Sequence, residues 1–348
     1  LKDYQTFSSE GFKFMLRPDW FSDPVVSESL LAQDPPAHTR LRSLINKAFT
    51  PKVIDGLTEP MVRIAEDLAG RLAMASDVEL LTDFSYPFVN EVISQVIGFQ
   101  SNKQDEIKRW IDLLSYLKPE PPEEPIRQEL ESIQASFRRY GTEVIADRRV
   151  CPRDDLISRV IAAELDGEQL NDRECLAMLL LLITAGFDTT VNLMSNCIRQ
   201  LAAMPILVDQ LYLEPSLIPA FIEEVMRFDP PTHSLLRQTT REVEVAGVTI
   251  QRGEFVCLMI GSAGRDSSHY RDPDTFDLHR ANKDHLGFGY GIHVCVGMML
   301  ARKEVEATLT ALVRHFSSIA CPTPEELQWT PCLSGRGVVE LPVQFIKR

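Results

Sequence analysis

One helix constrains this 348-residue chain more than any other feature. Asn171 opens N-D-R-E, with Glu174 three residues on, and an Asn cap with a Glu at the third helical position can satisfy exposed amides reciprocally. The helix predicted from there to Met204 is about 33 residues long, unusual for a globular protein, and its centre is almost wholly apolar. Its strongest apolar run, CLAMLLLLITAGF from Cys175 to Phe187, covers 13 residues. That is too short to span a bilayer, so it reads as a buried helix, and nothing requires a membrane anchor.

The rest of the chain reads mostly as helices too. Periodic apolar positions predict helices over Pro36–Phe49, Val53–Met74, Val89–Ile97 and Asp105–Leu117. LKPEPPEEP is an acidic, proline-rich surface loop before a long helix over Ile126–Asp147. A further helix fits Leu217–Phe228, ended by D-P-P, and a last one fits Met298–Phe316. Only TTREVEVAGVTIQRGEFV alternates, with A-G and R-G turn signals, and it predicts short strands in a hairpin. The expectation is a mainly helical protein with small, late sheets. No linker divides it, so residues 1–348 read as a single domain.

Charge and cysteine usage exclude several functions. The formal net charge is -14 and no long basic run occurs, which argues against a nucleic-acid partner. Seven cysteines, an odd number, are widely spaced with no C-x-x-C pair. That pattern fits neither a disulfide framework nor a structural zinc site, and it points to a reducing, cytoplasmic setting.

The densest signal is HLGFGYGIHVCVG, His285 to Gly297, with four glycines and one cysteine in thirteen residues. Cys295 lies just before a helix predicted to begin near Gly297, and a helix N-terminus stabilises a thiolate. Gly291 and Gly297 permit close backbone approach to whatever the sulfur contacts. The thiolate could be a nucleophile, a redox group or a metal ligand. A protease would need a base and an orienting group, and only His293 is near. Zinc would want three or four ligands, and only His293 and Cys295 are at hand. An axial ligand to haem iron needs one cysteine in a close-fitting loop.

Phe288 to Gly297, F-G-Y-G-I-H-V-C-V-G, resembles the haem-binding signature of the cytochrome P450 family: Phe, Gly three later, Cys four after that, then Gly. A-G-F-D-T-T, Ala185 to Thr190, is similar to the family's oxygen-binding segment. Glu224-Val-Met-Arg227 matches its Glu-x-x-Arg pair; Glu223 is spaced four from Arg227, so Glu224 is the better assignment. DPPAHTRLRSLINKAFTP resembles its early propionate-binding helix, and GSAGRDSSHYRDPDTFDLHR the stretch before the cysteine loop, with Gly264 where bacterial members often have Asn.

The resemblance covers nearly the whole chain and implies a cytochrome P450 fold. Since the early motif starts only at residue 34 and no initiator Met is present, an N-terminal helix and first strands are expected to precede this sequence. Cys295 would ligate the iron of haem b, with Phe288 packed beside it. His38, Arg42, Arg237 and His293 would pair with the propionates. Ala185 and Gly186 would leave room above the haem, while Asp188 and Thr189 deliver protons to bound O2; Thr190 would be structural. Glu224, Arg227 and Arg280 would form a structural ion-pair network. Leu181, Phe187, Thr232, His233, Leu235 and Leu236 would line the substrate pocket, with the turn at Leu333 beside it. A bond from His233 to substrate competes there with a purely structural role.

The implied activity is a haem-thiolate monooxygenase that hydroxylates or epoxidises a small, mostly apolar or amphipathic substrate, as in secondary metabolism. Electrons would come from a separate ferredoxin or flavodoxin and its reductase, docking near Arg302 and Lys303, onto a monomer. A haem-thiolate peroxygenase or isomerase, or a non-catalytic haem protein, are the alternatives.

Overall fold

The computed structural model describes residues 1–11, 13, 25, 28–75, 77–100, 103–115 and 122–348. The long helix runs unbroken from Asp172 to Ala203. Its cap is the expected one: Asn171 Oδ1 accepts the amides of Arg173 and Glu174 at 3.0 Å each, and Glu174 Oε2 accepts the Asn171 amide at 2.9 Å. By length and composition this helix could cross a membrane, yet most of its apolar window is buried inside the protein. It packs against helices Gln104–Ser115, Glu124–Val150, Ile218–Phe228 and Met298–His315. One continuous apolar core includes residues of all five.

Several boundaries differ from the sequence pattern, each for a local reason. The amphipathic stretch expected over Val53–Met74 is two helices, Pro51–Gly56 and Thr58–Leu72, broken at Leu57 beside the poor helix former Gly56. The segment expected to begin at Val89 is already helical from Leu81. Wide π turns at Leu81–Ser85 and Ile93–Ile97 flank Tyr86–Val92. Pro87 reads as a breaker but sits within this helical stretch, directly after the wide turn Leu81–Ser85. Gly98, at φ 105°, stops the helix. Residues 116–121, the end of the next predicted helix and most of the proline-rich loop, lie outside the described residues. Two short helices, Leu156–Ile161 and Ile206–Leu213, carried no clear signal.

The sheets are small but not all late. Strands β1 (Phe7–Ser8), β5 (Ser234–Thr239) and β8 (Phe255–Met259) form one antiparallel sheet in the order β1-β5-β8. A second contains β2 (Val78–Glu79), β10 (Pro342–Lys347) and β9 (Phe316–Ala320), so Phe316 begins a strand rather than ending the last helix. Strands β3 (Glu164–Leu165) and β4 (Glu168–Gln169) pair with each other. The predicted hairpin is β6 (Val243–Val245) with β7 (Val248–Ile250), turned through Ala246 and Gly247 at φ 50° and 81°.

Candidate active site

The cysteine loop is shaped by backbone conformations that favour glycine. Gly289 and Gly291 have φ of 74° and 76°, and a Cβ on Gly291 would lie 2.6 Å from the Leu1 carbonyl. The Cys295 amide donates to the Phe288 carbonyl at 2.8 Å, and Gly297 is the N-cap of helix Met298–His315. Burial pushes the Cys295 thiol up, while the Gly297 amide and the charges of Arg42 and Arg302 pull it down. The loop is thus pre-formed around a sulfur that gains from any partner able to stabilise its thiolate.

Cys295 opens onto a cavity whose other wall is the long helix. Leu181, Ala185, Thr189 and Leu193 face it, at successive four-residue steps along one helical stripe. The polar interruption does not break the helix: the Thr189 hydroxyl donates to the Ala185 carbonyl, and Thr184 Oγ1 donates to Leu180 O at 2.8 Å. Ala185 and Thr189 are exposed to this space, and a Cβ on Gly186 would meet nothing within 4 Å. Pro231, Thr232 and Leu235 close one side.

Three pocket assignments are corrected. Phe187 lies two residues, about 200°, round the helix from Ala185. It is buried in the core, stacked on Tyr86 with centroids 5.6 Å apart. Leu236 alternates with Leu235 on β5 and does not line the cavity. His233 is held structurally, its Nε2 3.2 Å from Asp229 Oδ1 and its amide donating to Ser334 O at 2.7 Å. Asp188 is exposed but off the lining stripe, on the side of Cys332. The Leu333 turn does border the pocket segment, through Ser234 Oγ to Leu333 O at 3.0 Å. Sequence reasoning missed Leu30, Leu31, Met226 and Ile260, which lack a shared pattern, and Leu193, which the four-residue spacing could have found.

Beside the cysteine loop, cationic and imidazole groups gather with the Asp34 carboxylate at their edge, its Oδ1 3.9 Å from His293 Nε2. His38 and His293 stack with ring centroids 4.3 Å apart, and the Nε2 of each is buried without a hydrogen-bond partner. Burial, then the charges of His293 and Arg42, lower the His38 pKa to about 4, against Asp34. Arg42 donates to the Val294 carbonyl at 2.6 Å and Arg237 to Leu236 O at 2.7 Å. Arg237 sits inside β5 rather than before the strands. Among the described residues neither arginine has a carboxylate partner.

The neighbouring Glu224 cluster is the opposite case. Arg227 forks onto Glu224 at 2.8 and 2.9 Å and donates to the carbonyls of Gly264, Pro273 and Thr275. Arg280 reaches Glu224 Oε1 at 3.0 Å, as does the Asp277 amide at 2.9 Å. Gly264 is required here: a Cβ would lie 2.1 Å from the Arg227 carbonyl oxygen. Arg302 and Lys303, expected to meet an electron donor, are already ion-paired with Glu223 and Glu306.

These residues fit a haem. Orphaned imidazole nitrogens and uncompensated guanidinium groups suit two carboxylates, a buried sulfur suits iron, and the space over Ala185 and Gly186 suits the ring. The comparisons agree. The family model described as cytochrome P450 matches residues 4–339. Cytochrome P450 107B1 of Saccharopolyspora erythraea is 36% identical over 323 residues, 92% of this chain and 78% of that protein. Cyclomarin C epoxidase CymV of Salinispora arenicola is 35% identical, over 96% of this chain and 85% of its own. The structure of CYP109Q5 from Chondromyces apiculatus superposes with a TM-score of 0.90 at 34% identity, covering 99% of this chain and 86% of that one. This chain belongs to the cytochrome P450 family and is a P450 monooxygenase, an enzyme class that works through a haem-thiolate iron and O2.

Proposed function

We propose that residues 1–348 form one cytoplasmic, monomeric domain. It inserts one oxygen atom from O2 into a small, mostly apolar organic molecule, by hydroxylation or epoxidation, in secondary metabolism. The observation that carries this is one cavity with the Cys295 sulfur in one wall and the Thr189 hydroxyl in another. Haem b, when bound, supplies the redox chemistry that activates O2. Cys295 would ligate its iron, in a loop held by the Phe288 carbonyl and the glycines at 291 and 297. His38, Arg42, Arg237 and His293 would bind the propionates, which accounts for the buried imidazole nitrogens without hydrogen bonds and for the two arginines without carboxylate partners.

Thr189 handles the proton at the distal wall. Its own hydroxyl proton goes to the Ala185 carbonyl, so its oxygen faces the cavity as an acceptor for water or an O–H donor. Asp188, exposed on the adjoining face, links that position to solvent. Leu181, Thr232 and Leu235 orient the substrate and keep bulk water out. Electrons come from a separate ferredoxin or flavodoxin with its reductase.

The test is the absorption spectrum of the reduced, carbon-monoxide-bound protein. The expected outcome is a strongly red-shifted Soret band that Cys295→Ser abolishes, together with nearly all product formation. An unchanged spectrum in Cys295→Ser would refute the ligand assignment, and protein that takes up no haem would refute the whole reading.

A further inference from the structure

Glu224 belongs to the core, but Glu223 makes a different set of contacts. Its Oε1 accepts Arg302 Nε at 2.6 Å and its Oε2 accepts Arg302 Nη2 at 2.8 Å, a two-pronged pair. Oε2 also lies 3.0 Å from His285 Nε2. The tautomer follows from the next bond: His285 Nδ1 accepts the Gly287 amide at 3.1 Å, so the proton sits on Nε2 and is donated to Glu223. Burial pushes the Glu223 carboxyl up, but the bonds from Arg302 and His285 outweigh it and hold it at about 2. The carboxylate is therefore charged at any working pH.

Both of its partners reach the ring that borders the cysteine. The Arg302 guanidinium carbon is 4.5 Å from the Phe288 ring centroid, and the His285 ring is 5.9 Å away. Phe288 in turn accepts the Cys295 amide. The His285 side chain is 4% exposed, Glu223 23% and Arg302 34%, so this cluster sits at the border between core and solvent. The Arg302 charge is also felt at the Cys295 sulfur.

We propose that Glu223 is a positioning residue for the thiolate site: it holds Arg302 and His285 against Phe288 and cancels the Arg302 charge beside Cys295, thereby setting the reduction potential of the haem bound there. This rests on Cys295 being the iron ligand. Reduction adds an electron, so an uncompensated cation nearby favours the reduced form and an uncompensated carboxylate disfavours it. Solvent around the one-third-exposed Arg302 attenuates the effect, to roughly three- to tenfold in the reduction equilibrium.

The experiment is the midpoint potential of the haem-loaded chain in four forms: wild type, Glu223→Gln, Arg302→Gln and the double variant. Glu223→Gln should raise the potential, Arg302→Gln should lower it, and the double variant should return close to wild type. Single variants that shift in the same direction, or not at all, would overturn the proposal, because a mechanical brace has no sign. If Glu223→Gln alone does not fold, Arg302→Gln and the double variant still decide: the second must lie above the first. A wild type without the red-shifted carbon monoxide band would refute the ligand assignment instead.

Discussion

Two charged clusters flank the cysteine loop, built from the same kinds of residue and left in opposite states. In the Glu224 cluster, both carboxylate oxygens and both guanidinium groups are engaged, and Glu224 and Arg227 are wholly buried. In the His38 cluster, two buried imidazole nitrogens have no hydrogen bond, with Asp34 no nearer than 3.9 Å to His293, and Arg42 and Arg237 have only carbonyls. Burying an unpaired polar atom costs about 1–3 kcal/mol, so a fold does not keep several together without return. The saturated cluster serves the fold; the unsaturated one is where the proposed propionates would bind.

The sharpest way to break that contrast is to cut one cation from each side. Arg227→Ala strands the Glu224 charge in the core and should cost about 3–5 kcal/mol, enough to prevent folding in a marginally stable chain. Arg42→Ala removes a cation with no carboxylate partner and should change the stability of the haem-free protein by less than about 1 kcal/mol. Denaturant unfolding of the two haem-free variants measures both. Equal losses would erase the distinction.

Glu304 tests the contrast from within the core. It is buried on helix Met298–His315, with Thr190 Oγ1 3.2 Å away as its hydrogen-bond partner. Burial pushes its carboxyl up to about 8, against that bond. The folded state thus holds a proton that the unfolded chain, near 4.5, releases. Its contribution is fully present below about pH 4.5 and is lost as pH rises toward 8, on the order of 3 kcal/mol at pH 7. Glu304→Gln, a neutral isostere, should flatten that part of the pH profile and raise stability at pH 7 to 8. A slope unchanged in the variant would mean that Glu304 is charged in the fold.

How far these clusters were legible in the sequence follows the same division. Glu-x-x-Arg spacing, the capping box and the glycine–cysteine loop are local patterns, and each took its expected form. The neighbours that saturate Glu224, such as the Pro273 and Thr275 carbonyls, come from irregular backbone with no pattern to read. Pocket faces were legible only where a period applied. Leu181, Ala185 and Thr189 share a helical stripe, whereas Phe187, a pocket residue by the family resemblance alone, lies on the other side of the helix. Arg237 was recognised without its strand because β5 pairs with β1 and β8, distant partners that leave little local trace.

On the unsaturated side, smaller effects should separate binding from folding. His38→Leu and Arg42→Ala should each weaken haem retention about ten- to hundredfold, as loss of a charge-assisted bond worth roughly 1.5–3 kcal/mol implies. His38 also predicts an acid slope for the haem-free protein. Its folded pKa, near 4, lies below the unfolded value of 6.5, so the unfolded chain gains a proton first and stability falls as pH drops between those values. His38→Leu should remove that slope. Unchanged haem release, followed by transfer to an acceptor protein, would sever these residues from the propionates.

The smallest expected change in binding sits at Thr189, and there only the fate of electrons should move. Its hydroxyl already bonds within its own helix turn, so Thr189→Ala deletes no contact to another element. Stability should shift by less than about 0.5 kcal/mol, and haem and substrate should bind as before. What disappears is the oxygen atom that faces Cys295 across the cavity and can hold water at the distal wall. Electrons consumed per product formed should rise several-fold, with the excess recovered as peroxide or water. Thr190→Ala, one step round the helix and bonded to Glu304, should do the reverse: a stability loss of about 1–3 kcal/mol from stranding that carboxyl, with coupling intact. If both variants uncouple equally, the effect belongs to the helix and not to the Thr189 hydroxyl.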